Sequence, residues 1–187
     1  FVRGVATVES FERRGALVVE PLRDVVESMA GVLWTLNRHL REYREVDSLG
    51  HSWFWGLAKG QLWPDFMARR FNFAAHDTQA QWIDHFAQEA RMNIPLASFP
   101  TVIGHFDWRL EHLLFESGDV SMIYDWDSLH RAPEAVIVGA AAHAYSVIEL
   151  RDNPNVPTLE GMQWFVDAYC RARGQTFDSQ EKNLCAR

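Results

Sequence analysis

Cysteine and lysine are scarce in this sequence, and long apolar runs are missing. The two cysteines, Cys170 and Cys185, are not in a CxxC spacing, which excludes a disulfide framework and favours a reducing, cytoplasmic location. The longest run without Asp, Glu, Lys or Arg extends from Ala135 to Ile148 and has 14 residues. Because a membrane helix needs roughly 20 apolar residues, the sequence predicts no transmembrane span.

The charge balance narrows the classes of partner. The 187 residues include 18 Lys and Arg against 25 Asp and Glu, which gives a net charge of -7. Nucleic acids and anionic membranes reward clustered basic residues, and no such cluster is present, so neither is expected as the main partner. A neutral or cationic small molecule fits this charge better. With 48% hydrophobic residues, the chain can form the core of one domain.

Helical periodicity dominates the N-terminal half. Residues 1–20 show no helical period and predict a short entry segment. From Leu22 to Tyr43, apolar residues recur every three or four positions and predict an amphipathic helix. The aromatic stretch 48–73 holds no single period, which predicts broken helices, and Asp77 or Thr78 caps the helix that follows.

The character of the sequence then changes to β. Thr101–Ile103 predicts one strand, and Leu113–Glu116 and Val120–Tyr124 predict a hairpin around a Ser-Gly-Asp turn. Three helices are expected after this hairpin. The first has an apolar stripe over 136–147 that includes His143 or Ala144, and Gly139 in it permits close approach of another element. The sequence therefore predicts a mostly helical α+β domain with a small central β-hairpin.

Caps define the two helices at the C-terminal end. Thr158 is expected to begin the first of them and Gly174 to end it. Asp178 or Ser179 is expected to begin the second.

The most informative stretch surrounds the hairpin. Asp125 follows one hairpin strand and His112 precedes the other, so the turn brings them side by side, where they could share one cation. Asp107 lies in the loop that leads into the hairpin. There its carboxylate is free to orient a hydroxyl group and accept its proton.

These residues resemble a known catalytic core. His105, Asp107 and the bulky Trp108 match the kinase loop pattern H-R-D-L-x-x-x-N, and Arg109 stands where protein kinases place a catalytic-loop lysine. The Asp125-Trp126 pair is similar to the metal-binding motif of the small-molecule branch. The sequence thus resembles the aminoglycoside phosphotransferase and choline kinase family, which has a protein-kinase-like fold.

The resemblance implies a function and a role for each residue. The implied reaction is ATP- or GTP-dependent phosphoryl transfer to a hydroxyl group of a small molecule, with Mg²⁺ as the metal. Asp107 would be the catalytic base and Arg109 would steady the γ-phosphate. Asp125 would bind Mg²⁺ with His112 in the second metal position, Asp127 would face the substrate, and His105 would pack beneath the loop.

Two departures from the family pattern affect this expectation. His112 replaces the family's metal-binding Asn, although Mg²⁺ prefers oxygen to imidazole. Either His112 binds weakly or through water, or one metal is lost, or the imidazole is partly buried and does not ligate. The second departure is that the sequence contains no GxGxxG and no G-K-[ST] motif. We therefore expect residues 21–187 to form a C-terminal catalytic lobe, 1–20 to be the hinge from an N-terminal lobe, and the complete protein to be needed for activity.

Several residues have simpler structural interpretations. Arg109 could pair with Glu111 or Asp127 at the surface, and Asp127 could serve as a cap or turn residue. Trp126 and His143 are expected in the core. An acidic pocket for a cationic acceptor could be built from Asp77, Asp84 and Glu89, but a solvated helix face is the default interpretation of these residues.

Two other functions remain open at this stage. A kinase-like protein without catalytic activity would use the same lobe to bind a partner. An HD-type metal phosphohydrolase would use His76-Asp77 with further ligands such as His39 and His51. The zincin HExxH and serine-hydrolase GxSxG patterns are both missing from the sequence.

Overall fold

The computed structural model describes residues 15–18, 23–43, 85, 99–147 and 157–186. Within these ranges the helices are α1 (Arg23–Leu40), α2 (Glu134–Ser146), α3 (Leu159–Arg173) and α4 (Ser179–Cys185). The strands are β1 (Thr101–His105), β2 (Leu113–Glu116), β3 (Asp119–Ile123) and β4 (Leu129–Pro133). The expected mostly helical α+β architecture is confirmed. The expectations for 48–73 and for a cap at Asp77 or Thr78 lie outside the described residues.

Helix α1 packs on the core along the predicted apolar face. Val25, Val26, Met29 and Leu33 are buried, whereas the last turn is more open to solvent. Asn37 is also fully buried on this face, and helical periodicity alone does not predict it. The amphipathic helix is thus confirmed, with one polar residue inside its buried stripe.

The strands form two antiparallel pairs. The predicted hairpin is confirmed as β2 paired with β3, and its turn is the two residues Ser117 and Gly118, both with positive φ. The second pair, β1 with β4, joins strands that are distant in sequence, with His105 opposite Leu129. Along the sequence, the hairpin strands β2 and β3 therefore lie between β1 and β4. Residues 15–18 contact its outer edge, where Ala16 pairs with Phe115.

Helix α2 lies at the centre of the domain. Almost every residue from Glu134 to Ala142 is buried, so this helix has no single apolar stripe. The expectation that His143 lies in the core is wrong, because its side chain is exposed on the last turn. The predicted close approach at Gly139 is confirmed, since a Cβ atom there would overlap the carbonyl oxygen of Cys185 in α4. Cys185 and Cys170 are both free thiols.

The caps of the last two helices are as the sequence predicts. The Thr158 hydroxyl accepts a hydrogen bond from the Gly161 N–H at 3.2 Å, and Gly174 ends α3 in a left-handed conformation. Asp178 is the cap of α4, where it forms a reciprocal capping box with Glu181. At these three helix ends, part of the free backbone groups is therefore satisfied locally.

A buried polar network joins α1, α2 and α3. Asn37 donates to the Tyr169 hydroxyl at 3.0 Å, and that hydroxyl donates to Glu134 at 2.8 Å. Burial raises the pKa of Tyr169 above its ordinary value, so the hydroxyl keeps the proton that it donates. Arg41 and Arg173 balance the Glu134 carboxylate at 2.9 and 3.5 Å. This network fixes the register of the three helices relative to one another.

Within the ranges that the structure describes, no helix is long and apolar enough to cross a membrane. The division into a hinge over 1–20 and a lobe over 21–187 stays a prediction.

Gly139 lies in the close contact between α2 and α4, whereas Gly31 faces open space. Substitution of these two glycines by alanine should therefore have opposite effects on stability. Gly139→Ala should lower the free energy of unfolding by about 1–3 kcal/mol, because α4 must move away from the new methyl group. Gly31→Ala, in α1, meets no atom within 4 Å and should raise it by up to about 1 kcal/mol. Urea unfolding measures both, and equal effects would contradict the packing described.

The polar network predicts that loss of one hydroxyl destabilises the fold. Tyr169→Phe leaves the buried Asn37 amide without its hydroxyl acceptor and removes one donor from Glu134, which keeps its arginine partners, and this loss should cost about 1–3 kcal/mol. Tyr43→Phe is the matched control, because Tyr43 is 60% exposed, and it should change stability by less than about 0.5 kcal/mol. Thermal and urea unfolding of both variants would test this, and an unchanged Tyr169→Phe variant would contradict it.

Candidate active site

The strand topology brings two loops together. Residues 106–112 connect β1 to β2, and residues 124–128 connect β3 to β4. Because β1 pairs with β4 and β2 pairs with β3, both connections run side by side between the two strand pairs. Two backbone hydrogen bonds tie them together, from Phe106 N to Ser128 O at 3.0 Å and from Tyr124 N to His112 O at 2.8 Å.

Alternating residues anchor the first loop. Trp108 and Leu110 are buried in the core, and their side chains hold the loop against the domain. Asp107 and Arg109, next to them in sequence, keep 43% and 40% of their side chains exposed. The pattern of apolar anchors and polar groups in the sequence therefore places a carboxylate and a guanidinium at the surface of a fixed loop.

His105 lies beneath both loops and is completely buried. Its Nε2–H donates to the carbonyl oxygen of Tyr124 at 2.9 Å, so Nδ1 carries the lone pair and has no hydrogen-bond partner among the described residues. Burial lowers the pKa of His105, although its hydrogen bond to Tyr124 opposes the shift. The neutral imidazole of His105 thus holds the backbone of Tyr124, the residue before Asp125, by a hydrogen bond.

His112 stands between the two carboxylates. Its Nδ1–H donates to the carbonyl oxygen of Asp107 at 2.8 Å. The same nitrogen lies 3.5 Å from the Asp107 carboxylate and 3.7 Å from that of Asp125. Potential ligand atoms of all three residues lie within 4.8 Å of one another, so the structure brings Asp107, His112 and Asp125 together.

Asp125 occupies a strained backbone position at the start of the second loop. Its φ of 62° and ψ of 47° are left-handed, a conformation that aspartate tolerates better than most residues. The Ser128 hydroxyl donates to its carboxylate at 2.9 Å. This hydrogen bond is the main reason that the pKa of Asp125 is lowered; Asp127 and the nearby imidazoles add to the shift, while partial burial opposes it.

The remaining predicted residues lie at the rim of this cluster. The Arg109 Nε lies 3.4 Å from Glu111 and 3.9 Å from Asp107, so the expected surface pairing with Glu111 is present. Asp127 is exposed in the short 3-10 helix Trp126–Ser128. The expectation of Trp126 in the core is wrong, since its ring is only partly buried. Its indole N–H donates to the Ile123 carbonyl, and the ring covers His105 edge-on.

A divalent cation fits the Asp125 side of this cluster better than the His112 side. The Asp125 carboxylate is 37% exposed and has a lowered pKa, so it is an ionised oxygen ligand of the type that Mg²⁺ prefers. His112 turns its Nδ1–H toward the carboxylates, and that nitrogen has no lone pair for a metal ion. Its other ring nitrogen is an imidazole nitrogen, and Mg²⁺ prefers oxygen to such a ligand. Asp125 therefore fits the implied Mg²⁺ and His112 does not.

Other candidate ligands are not part of this cluster. His39 is exposed at the end of α1, where its Nδ1–H donates to the Thr35 carbonyl at 2.7 Å. His51, His76, Asp77, Asp84 and Glu89 lie outside the described residues, so the HD-type and acidic-pocket interpretations gain no support here.

Sequence reasoning did not identify Ser128 as part of the site. The signal was the spacing Asp125-x-x-Ser128, because side chains three residues apart in a 3-10 helix lie above one another and the hydroxyl can donate to the carboxylate. The strand β4 was also missed, and with it the pairing that draws the second loop alongside the first.

Comparisons with known proteins agree with this description at the level of the fold. No protein-family model matches the sequence, and no curated protein is significantly similar to it. Among solved structures, the chain is similar to an aminoglycoside-3'-phosphotransferase of type VIII, with a TM-score of 0.52 and 14% identity. The match covers 91% of this chain and 64% of that enzyme, so the chain spans less than two thirds of its length. The fold is therefore kinase-like and corresponds to a C-terminal lobe.

The contact between Ser128 and Asp125 predicts a measurable change in titration. Ser128→Ala removes the hydrogen bond that stabilises the ionised carboxylate, so the pKa of Asp125 should rise toward its ordinary value. In the wild type, this hydrogen bond stabilises the folded protein at pH values above the unfolded-state pKa of Asp125. That stabilisation is lost as the pH falls through the lower folded-state pKa of the same carboxyl. Carboxyl ¹³C NMR titration would test this, with Ser179→Ala as a control in α4. An unchanged pKa of Asp125 in Ser128→Ala would contradict the assignment.

Proposed function

We propose that this chain is the catalytic lobe of an ATP- or GTP-dependent phosphotransferase that acts on a hydroxyl group of a small molecule. The observation that carries this proposal is the Asp107–His112–Asp125 cluster, whose polar atoms lie within 4.8 Å of one another on the two loops between the strand pairs. The fold supports it, because the similar solved structure is named a phosphotransferase. Activity is expected of the full-length protein.

Asp107 is assigned as the general base. Its side chain is 43% exposed on a loop held by Trp108 and Leu110, so an acceptor hydroxyl can reach it. The hydroxyl oxygen forms a bond to the γ-phosphorus, and the bond from that phosphorus to the β–γ bridging oxygen breaks. The nucleoside diphosphate leaves, and the hydroxyl proton passes to the Asp107 carboxylate. Positioning supplies most of the rate in this type of reaction.

The other polar groups of the site orient and neutralise the phosphates. Asp125 would hold Mg²⁺, which when bound neutralises phosphate charge and aligns the nucleotide. Arg109 lies 3.9 Å from Asp107 and can leave its exposed pair with Glu111 at little cost to contact a γ-phosphate. The exposed Asp127 is placed to attract a cationic acceptor.

The acceptor class follows from charge and from the name of the structural neighbour. The net charge of -7 and the exposed carboxylates at the site favour a neutral or cationic molecule over an anionic one. The similar solved structure is named an aminoglycoside-3'-phosphotransferase. Aminoglycosides, amino alcohols and sugars are therefore the first acceptors to test.

Two substitutions separate the roles of the carboxylates. Asp107→Asn should lower turnover by about 100-fold or more, while nucleotide binding stays within about threefold, a change below 1 kcal/mol. Asp125→Asn should abolish turnover and also weaken Mg-nucleotide binding strongly. Nucleotide affinity by calorimetry and turnover by coupled assay of the full-length protein measure both effects.

A matched control is available in the hairpin. Asp119→Asn changes an exposed carboxylate at the hairpin turn and should leave both binding and turnover unchanged. Full activity in either Asp107→Asn or Asp125→Asn would contradict the assignment.

A catalytically inactive kinase-like binding protein is the second candidate. The protonated His112 nitrogen between the two carboxylates favours it, because it takes space that a cation would need. This alternative predicts no Mg-nucleotide-dependent rise in melting temperature of the full-length protein. Phosphoryl transfer to any acceptor would exclude it.

A further inference from the structure

His112 has a hydrogen-bonding state that the geometry determines. A backbone carbonyl oxygen can only accept a hydrogen bond, so the 2.8 Å contact from Nδ1 to the carbonyl of Asp107 requires the hydrogen on Nδ1. This nitrogen therefore has no lone pair available for a metal ion. The other ring nitrogen, Nε2, is a distinct atom that faces a different direction from Nδ1, and Mg²⁺ and Mn²⁺ prefer oxygen ligands to imidazole.

The protonated nitrogen occupies the space between the carboxylates. It lies 3.5 Å from Asp107 and 3.7 Å from Asp125, on the side where a cation bridging both would have to bind. An N–H group there is attractive to the carboxylates and repels a metal ion. To bind a cation at that position, the ring would have to give up its hydrogen bond to the Asp107 carbonyl.

We infer that this site binds a single divalent cation, at Asp125, and that His112 fills the second cation position as a hydrogen-bond donor that holds the Asp107 loop. The inference rests on the proposed phosphotransferase function and concerns the number of cations in the same site. His112 is thus a positioning residue that acts through the backbone of Asp107.

Metal counting tests this inference directly. The full-length protein is titrated with Mn²⁺ in the presence of a β,γ-imido analogue of ATP, and separately of GTP, and bound Mn²⁺ is counted by electron paramagnetic resonance. We expect one Mn²⁺ per nucleotide-bound wild-type chain. His112→Asn offers an amide oxygen in the same place and should bind two.

The control is His143→Asn, which makes the same substitution at an exposed histidine of α2 and should still bind one Mn²⁺. Two Mn²⁺ ions in the wild type, or one in a folded His112→Asn variant, would overturn the inference and leave the proposed function in place. Absence of any nucleotide-dependent Mn²⁺ binding in the wild type would overturn the proposed function as well.

A second measurement does not depend on the folding of the variant. In a long-range ¹H–¹⁵N spectrum of the wild type with Mg²⁺ and the same analogue, Nδ1 of His112 should keep the chemical shift of a protonated nitrogen. A shift to that of an unprotonated or metal-bound nitrogen would overturn the inference.

Discussion

Two histidine-to-carbonyl hydrogen bonds determine the geometry of the site. His105 donates from β1 to the carbonyl of Tyr124, next to Asp125, and His112 donates to the carbonyl of Asp107 itself. Each loop that carries a carboxylate is therefore held by an imidazole at its backbone. Hydrogen bonds of this kind resist displacement in a partly buried site because the carbonyl would otherwise lose a partner. The histidines hold the main chain of both loops, and the two carboxylates remain partly exposed to solvent.

The fold supplies the framework for these bonds. The β1–β4 and β2–β3 pairs place the two loops side by side, and α2 runs through the core directly after β4. The buried network of Asn37, Tyr169 and Glu134 fixes α1 and α3 around α2. Stability and site geometry thus depend on different groups, so the substitutions in the core and those at the loops affect separate measurements.

Local signals made the site predictable, and long-range contacts explain what was missed. The Ser-Gly turn predicts the hairpin, and the hairpin brings His112 and Asp125 together. Strand β4 contains His130, Arg131 and Pro133, so its sequence has no strand pattern. It is recognisable as a strand only from its pairing with β1. Buried Asn37 depends on Tyr169, which is 132 residues away. His143 was misplaced because α2 is buried on nearly all sides, so the period of its apolar residues does not distinguish an inner from an outer face.

The proposed function requires Asp125 to bind the cation and Asp107 to face the transferred phosphate. A crystal structure of the full-length protein with Mn²⁺ and a β,γ-imido nucleotide tests it most directly through the anomalous signal of manganese. The account predicts one anomalous peak at coordination distance from the Asp125 carboxylate, with the γ-phosphate directed toward Asp107. Nucleotide phosphates bound away from both loops, or a manganese peak without contact to Asp125, would contradict it.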